Sequence, residues 1–276
     1  MRIPRLCLAA ALCAPAWCAA PSYSAEGIVN ASNYAPGPFA PNSVLSIFGS
    51  GLAWSPQGLT AGDIESGRLP TSLNGVRVYV SDQPAPLFYV SESQINFLMP
   101  TDQIAGRVTV RVVRQGVTGP EVPLTLVEAA PALFDSPLAP GYAVAQRWPE
   151  YSLVGPDSPV GPEDIVILYG TGLGRTEEYP SRPDEIPALP GALKRLKELR
   201  VYLGGVPLDS SCILWAGLSP GSAGLYQVNL KLPADLPEDP EIRVAIGDQA
   251  GAPGLKLATA LTAPHRSPQL SAPLAR

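Results

Sequence analysis

The chain has 276 residues, of which 46% are hydrophobic, and it contains 33 prolines and 26 glycines. This hydrophobic content excludes a wholly disordered chain, and the many prolines and glycines favour short strands joined by turns over long helices. The formal net charge of −5 disfavours phosphate backbones and anionic membrane surfaces as partners. We therefore expect no nucleic-acid binding.

Residues 1–20 have the pattern of a secretory signal. Arg2 and Arg5 form the positive end, residues 6–14 form a short apolar run, and Ala20 is a small residue near the expected cleavage point. The run is too short to span a bilayer as a helix of the mature protein. We predict a secreted or extracytoplasmic protein of the cell surface or periplasm, without membrane insertion once the signal is removed.

Cysteine use fits this export prediction. Three of the four cysteines lie within residues 1–20, which leaves Cys212 in the mature chain. One cysteine cannot form an intramolecular disulfide, and the apolar run 212–215 predicts that its thiol is buried and unreactive.

Short strands are indicated by alternating hydrophobicity. Residues 76–80 and 107–112 alternate valines with polar residues, as antiparallel strands do when one face contacts a core. Turn signals at short intervals between such runs predict β-sandwiches. We place the first domain at residues 27–130, the second at 132–262, and a flexible tail at 263–276.

Most of the mature chain is an internal repeat. Three segments recur in the same order: 43–52 (SVLSIFGSGL) as 164–173 (DIVILYGTGL), 77–80 (RVYV) as 200–203 (RVYL), and 94–100 (QINFLMP) as 227–233 (QVNLKLP). Such a recurrence predicts a tandem duplication of one β-rich domain. The second copy differs by roughly ten extra residues around 218–222 and by segment 193–199, which could form one or two helical turns.

Two sets of segments resemble known families. Residues 43–52, 84–86, 91–95 and 106–110 resemble an IPT/TIG immunoglobulin-like module, and 29–34, 41–43, 69–76, 169–174 and 224–229 resemble the Solibacter C-terminal domain family of secreted proteins. The resemblance implies an all-β protein of two tandem immunoglobulin-like β-sandwiches on an exported bacterial protein. It provides no catalytic residues that could be carried over to this sequence.

The usual catalytic groups are scarce. The single histidine, His265, falls in the predicted tail, where it cannot be held rigidly against a nucleophile. One histidine and one cysteine do not make a zinc ligand set. The glycine-rich segment 170–174 lacks the last glycine of a dinucleotide loop and recurs as 49–51, which indicates a tight turn. We predict no cofactor and no metal.

Carboxylates leave two weaker alternatives. Adjacent acids at 163–164, 177–178 and 184–185 could supply the pair of a glycoside hydrolase. Four acids between residues 235 and 241 could hold calcium, although they lack the spacing of a known loop. Solvated surface charge is the favoured interpretation of both groups.

Aromatic residues give the candidate contact site. Trp54, Trp148 and Tyr151 lie in predicted loops, where aromatic side chains can stack on sugars or anchor protein partners. The favoured alternative is that the tryptophans cover a core or the seam between domains. Trp215 lies in a predicted strand and is expected in the core.

Repeated amides form a further pattern. Gln94 with Asn96 and Gln227 with Asn229 alternate with apolar residues, so each pair shares one sheet face. They could bind a polar ligand, but hydrogen bonding to a neighbouring strand or turn is the favoured interpretation.

These features predict an exported, non-catalytic interaction or structural protein, with a protein or polysaccharide of the cell envelope as partner. The alternatives are a carbohydrate-binding module that uses the loop tryptophans, and a carboxylate-dependent glycoside hydrolase.

Overall fold

A computed structural model describes residues 19–177 and 182–260. Residues 1–18 of the predicted signal, Glu178, and the tail with His265 lie outside the described residues. Helical structure in the described ranges is limited to short 3-10 turns, each three residues long. No helix in these ranges is long and apolar enough to cross a membrane.

The first copy forms two facing sheets, which we call the first sandwich. Its strands are β1 (Ser22–Asn30), β2 (Val44–Ser50), β3 (Gln57–Gly58), β4 (Val76–Val80), β5 (Gln83–Ala85), β6 (Leu87–Val90), β7 (Gln94–Leu98), β8 (Gly106–Arg114), β9 (Val117–Thr118) and β10 (Val122–Leu126). One sheet has the order β1-β2-β7-β6-β3, and the other has the order β10-β8-β4-β5 with β9 beside β8.

The second copy forms the second sandwich. Its strands are β11 (Ala132–Leu133), β12 (Asp135–Ser136), β13 (Ala139–Ala143), β14 (Ala145–Arg147), β15 (Ser152–Leu153), β16 (Ile165–Thr171), β17 (Gly191–Ala192), β18 (Leu199–Leu203), β19 (Val206–Pro207), β20 (Ile213–Leu218), β21 (Tyr226–Lys231), β22 (Ile242–Ile246) and β23 (Gln249–Ala250). A seven-stranded sheet, β15-β14-β16-β21-β20-β17 with β11 beside β16, faces the sheet β19-β18-β22-β23, and β12 pairs with β13.

Each sandwich has its own core because alternate side chains point between the sheets. In the first sandwich, Val76, Val78 and Val80 are fully buried, while Arg77 between them is exposed. Val201, Val228 and their neighbours build a separate core in the second sandwich. The predicted pair of tandem β-sandwiches is confirmed.

The first strand of the repeat differs between the copies. In the first sandwich, β1 runs along β2 with a bulge between Tyr23 and Ile28. In the second, this edge is shared by β11 and β14, which pair with opposite ends of β16. The hairpin β12–β13 lies between them, so the second copy carries an insertion where the first has only a bulge.

Polar groups cross the seam between the sandwiches. The hydroxyl of Tyr226, which is almost fully buried, accepts a hydrogen bond from Asn42 Nδ2 at 2.9 Å and donates to the Gly174 carbonyl at 2.5 Å. Burial raises the pKa of Tyr226 well above that of a free tyrosine, so the hydroxyl keeps its proton. Thr171 Oγ1 accepts from the Val44 amide at 3.0 Å. These bonds fix the two sandwiches against each other.

The extra residues around 218–222 contribute to this seam. Ala223 joins an apolar cluster with Leu98 and Leu69 of the first sandwich. Gly224 has φ +73°, and a Cβ there would lie 2.6 Å from Leu98 Cδ1. Glycine is needed here for both its conformation and its close approach.

An ion pair also crosses the seam. Arg68 of the first sandwich binds Asp184, with its Nε 2.9 Å from the carboxylate, and the Leu69 amide donates to the Asp184 carbonyl. The long connection between β16 and β17 therefore reaches back to the first sandwich.

Two local expectations have different outcomes. Segment 193–199 contains a single 3-10 turn at Leu196–Glu198, in line with the short helical structure expected. Cys212 is only half-buried, so the expectation of a buried thiol is wrong, because the residue ends the 3-10 turn Ser210–Cys212 before β20 enters the sheet.

Candidate functional site

Trp54 follows β2 at the edge of the first sandwich and covers a buried arginine. Arg114 is only 1% exposed, and its Cζ lies 3.8 Å from the centre of the Trp54 ring system. The guanidinium donates to the carbonyls of Gly51 and Ala19, while Trp54 Nε1 donates to Gln115 at 3.0 Å. Because the carbonyls and the indole face enclose the Arg114 cation, we interpret Trp54 as a residue that stabilises the first sandwich.

Trp148 and Tyr151 form an exposed aromatic pair in the turn between β14 and β15. Their ring centres are 5.2 Å apart in an edge-to-face arrangement, which is a favourable geometry for aromatic side chains. Both remain about half exposed. The Tyr151 amide donates to the Arg147 carbonyl, which closes the turn.

Hydrogen bonds connect this pair to side chains on the outer face of the seven-stranded sheet. Gln146 Nε2 donates to the Tyr151 carbonyl at 2.9 Å, and the Tyr169 hydroxyl donates to Gln146 Oε1 at 2.6 Å. Burial, and then the neighbouring Tyr151, raise the pKa of Tyr169. Its hydroxyl is therefore a neutral hydrogen-bonding group.

The repeated amides lie beside Tyr169 on the same face. Tyr169 pairs in register with Gln227, and Gln227 Nε2 donates to Asn229 Oδ1 at 3.2 Å. Ser219 Oγ donates to Gln227 Oε1. The favoured interpretation of these amides as partners of neighbouring structure is thus confirmed, but within the described ranges Asn229 Nδ2 has no protein acceptor.

Trp215 completes this face. It pairs in register with Asn229 in β20 and is half-buried. Its indole lies over Gly217, where a Cβ would be 2.8 Å from two ring atoms. The strand assignment is confirmed, but the expected core position is wrong, because the bulge between Ile213 and Trp215 sets the ring on the outer face.

We call the surface formed by Trp148, Tyr151, Gln146, Tyr169, Gln227, Asn229 and Trp215 the aromatic–amide face. A shallow pocket of about 460 Å³ on it is lined by Leu153, Tyr169 and Phe134, among others. All of these side chains are uncharged. The face can therefore offer stacking surfaces together with neutral hydrogen-bond donors and acceptors.

A larger cavity of about 610 Å³ lies beside the seam. The first sandwich contributes turn residues including Asn33 and Tyr34, and the inserted hairpin region contributes Phe134 and Asp135. Phe134 also lines the pocket on the aromatic–amide face. The cavity and the face are therefore adjacent.

The candidate carboxylates make structural contacts. Glu163 pairs with Lys231, Asp164 with Arg147, and Asp184 with Arg68. In the 235–241 group, Asp239 accepts from Tyr142 and from the Thr259 amide. Among the described residues, no three His, Cys, Asp or Glu side chains are grouped as metal ligands would be.

The sequence predicts Trp148 and Tyr151 as members of one contact site, and the structure brings them together. Gln146, Phe134 and Tyr169, which lie beside them, are not predicted. Tyr169 had a detectable signal: it occupies an outward position of a repeated strand, and the first copy has another aromatic residue, Phe48, at that place. Phe134 had none, because only the fold of the insertion brings it to the face.

Comparison with known families identifies one domain. Residues 29–126 match the IPT/TIG domain model. The resemblance to that module is therefore confirmed for the first copy, and the narrower resemblance to the Solibacter-type family stays a prediction. A search of the curated proteins finds no match.

The chain also has distant similarity to solved structures. A surface glycan-binding protein from Prevotella bryantii is 14% identical (TM-score 0.26, 86% of this chain and 41% of that chain). A Bacteroides ovatus SGBP-B in complex with a mixed-linkage heptasaccharide is 10% identical (TM-score 0.30, 88% and 46%). The plexin A4 extracellular region is 13% identical (TM-score 0.25, 88% and 16%).

The chain spans less than half the length of each of these proteins. At such TM-scores, what they bind carries no argument about this chain. What the family comparison supports is that residues 29–126 match the IPT/TIG domain model.

Proposed function

We propose that this protein is an exported, non-catalytic binding protein, and that the aromatic–amide face binds carbohydrate. The observation that carries the proposal is the exposed Trp148–Tyr151 pair continuing through Gln146 and Tyr169 into an uncharged row of amides. Aromatic faces offer contact area to the CH faces of a sugar ring, and amides can exchange hydrogen bonds with its hydroxyls.

The chemistry of the face favours a sugar over an ionic ligand. The charged side chains closest to the face along these strands are paired: Lys231 with Glu163 at 2.5 Å, and Arg147, which follows Gln146 in β14, with Asp164 at 3.5 Å. Of the candidate carboxylates, Glu163, Asp164 and Asp184 are engaged in ion pairs, which favours binding over hydrolysis at these positions. Because Trp54 covers Arg114, we assign it a role in the stability of the first sandwich and none in ligand binding.

Retention on immobilised neutral polysaccharides tests this proposal. Purified protein without residues 1–18, which keeps the Ala19 carbonyl that Arg114 binds, is compared with Trp148→Ala and Tyr151→Ala. We expect each substitution to weaken retention by about tenfold. Trp54→Ala is the matched control, since Trp54 is 44% and Trp148 is 47% exposed, and we expect it to leave retention unchanged. Thermal unfolding verifies that every variant is folded.

Three results would contradict the proposal. Retention that survives both substitutions would place the ligand elsewhere. Retention only on envelope protein would favour the interaction or scaffold alternative. Release of shortened sugars from the polysaccharide would favour the hydrolase alternative.

A further inference from the structure

The first sandwich carries a second version of the aromatic–amide arrangement. Gln94 Nε2 donates to Asn96 Oδ1 at 2.8 Å, and Ser46 Oγ donates to the same oxygen at 2.9 Å. Phe48 pairs in register with Gln94, as Tyr169 does with Gln227 in the second sandwich. The duplication has therefore kept an aromatic residue beside the amides in both copies.

The other side of the amides is also occupied by an aromatic residue. Tyr89 is in register with Asn96, the position that Trp215 has relative to Asn229 in the second sandwich. Within the described part of the chain, Asn96 Nδ2 has no protein acceptor. The first sandwich thus offers a hydrogen-bond donor between two aromatic side chains.

Aromatic residues connect the two faces. Tyr34 is exposed, and its ring centre is 6.0 Å from that of Phe48. Tyr34 and Phe134 line the same cavity beside the seam, and Phe134 and Tyr169 line the same pocket. The aromatic series therefore continues from Phe48 on the first sandwich to Tyr169, and from there to the Tyr151–Trp148 pair.

Backbone contacts hold this series together at the seam. The Asp135 amide of the inserted region donates to the Ser32 carbonyl at 3.3 Å, next to Asn33 and Tyr34. Together with the Tyr226 and Thr171 hydrogen bonds, this contact fixes the two faces before any ligand binds. Pre-organisation reduces the ordering cost that a long ligand would otherwise meet.

Charge on the series favours a neutral ligand. Its six aromatic residues are uncharged, and so are the five amides beside them, which are Gln94, Asn96, Gln146, Gln227 and Asn229. At the cavity, Arg243 is engaged by the Gly251 carbonyl at 3.1 Å and lies near Glu241, while Asp135 is exposed. No excess of cations is present there to attract an anionic chain.

We propose that the two faces and the cavity between them form one continuous track for an extended, neutral polysaccharide chain, which contacts both sandwiches at once. This inference rests on the proposed carbohydrate binding and adds the polymer length and the participation of the first sandwich. A chain that occupies both faces gains from simultaneous attachment, so affinity should rise with chain length.

Calorimetric titration with sugars of increasing length tests the track. The probes are soluble galactomannan, hydroxyethyl cellulose and dextran, followed by oligosaccharides of two to eight units from whichever polymer binds. We expect the polymer to bind at least tenfold more tightly than a disaccharide. The double variant Tyr34→Ala/Phe48→Ala should lose about tenfold in polymer affinity and leave disaccharide affinity unchanged.

Variants in the second sandwich distinguish the two proposals. Trp148→Ala should weaken both polymer and disaccharide, and Val206→Ala, an exposed apolar residue on the opposite sheet, should weaken neither. Equal affinity for all lengths, or full polymer affinity in Tyr34→Ala/Phe48→Ala, would overturn the track while leaving the proposed function intact. Preference for anionic polygalacturonate would also overturn it. Absence of binding to every carbohydrate would overturn the proposed function itself.

Discussion

Leu98 and Lys231 occupy the same place in the two copies but have opposite surroundings. Each ends the strand that pairs with the repeated glycine-containing strand, Leu98 opposite Val44 and Lys231 opposite Ile165. Leu98 is fully buried against the second sandwich, whereas Lys231 is exposed and pairs with Glu163. The same sheet position therefore takes an apolar residue where the other copy covers it and a charged residue where it meets solvent.

Insertions account for this asymmetry. The second copy alone carries the extra residues around Ala223, which contact the first sandwich. Its connection with Asp184, which has a counterpart of similar length in the first copy, contacts the first sandwich as well. Its other addition, the β12–β13 hairpin, lines the cavity beside the seam. The two copies are held in a fixed arrangement because loops of the second copy contact the first sandwich.

Among the substitutions that test this difference between the copies, Leu98→Lys should have the largest effect on stability. It removes apolar contacts and buries an unpaired charge in the seam, so we expect the free energy of unfolding to fall by about 4 kcal/mol or more. Urea unfolding followed by tryptophan fluorescence measures the change. The reciprocal Lys231→Leu should change stability by less than about 1 kcal/mol. Equal effects of the two substitutions would refute the different roles assigned to this position.

The two exposed tryptophans allow a second comparison of the copies. Trp54→Ala uncovers the buried Arg114 guanidinium, and we expect it to cost about 3 kcal/mol of stability, from lost packing and the lost cation–π contact. Trp148→Ala removes an exposed ring in a turn and should cost less than about 1 kcal/mol. Urea midpoints measure both. A larger loss for Trp148→Ala than for Trp54→Ala would reverse our assignment of structure to one and ligand contact to the other.

How far the sequence predicts this molecule depends on whether a feature is local. Alternation in residues 76–80 predicts a strand with one buried face because side-chain direction follows backbone period. Trp215 was misplaced because a bulge, which the residues themselves do not announce, shifts the register by one. Phe134 and Tyr34 line the same cavity only because an insertion packs against a turn that is distant in sequence. Neither segment contains a pattern that predicts this contact.

Tyr226→Phe tests the polar part of the seam. The repeat aligns Tyr226 with exposed Ser93 in the first copy, so the buried hydroxyl is specific to the second copy. Its loss leaves Asn42 Nδ2 and the Gly174 carbonyl without their partner, and we expect a cost of about 2 kcal/mol. Urea unfolding measures it, with Tyr202→Phe as the control for removing a tyrosine hydroxyl from a strand. A cost below about 0.5 kcal/mol would mean that the hydrogen bonds do not stabilise the seam.

The same hydroxyl predicts a smaller, pH-dependent difference between the wild type and Tyr226→Phe. Burial raises the pKa of Tyr226 in the folded protein, whereas the unfolded chain ionises near the ordinary value of about 10. The folded state therefore holds its proton where the unfolded state loses it, so this stabilisation is fully present below pH 10 and is lost as the pH rises above it. By pH 11 the loss amounts to about 1 kcal/mol for the wild type and is absent in Tyr226→Phe. Urea titrations at pH 8 and pH 11 should therefore bring the two proteins closer in stability at the higher pH, and a constant gap between them would show that the hydroxyl is ionised in the folded seam as readily as in water.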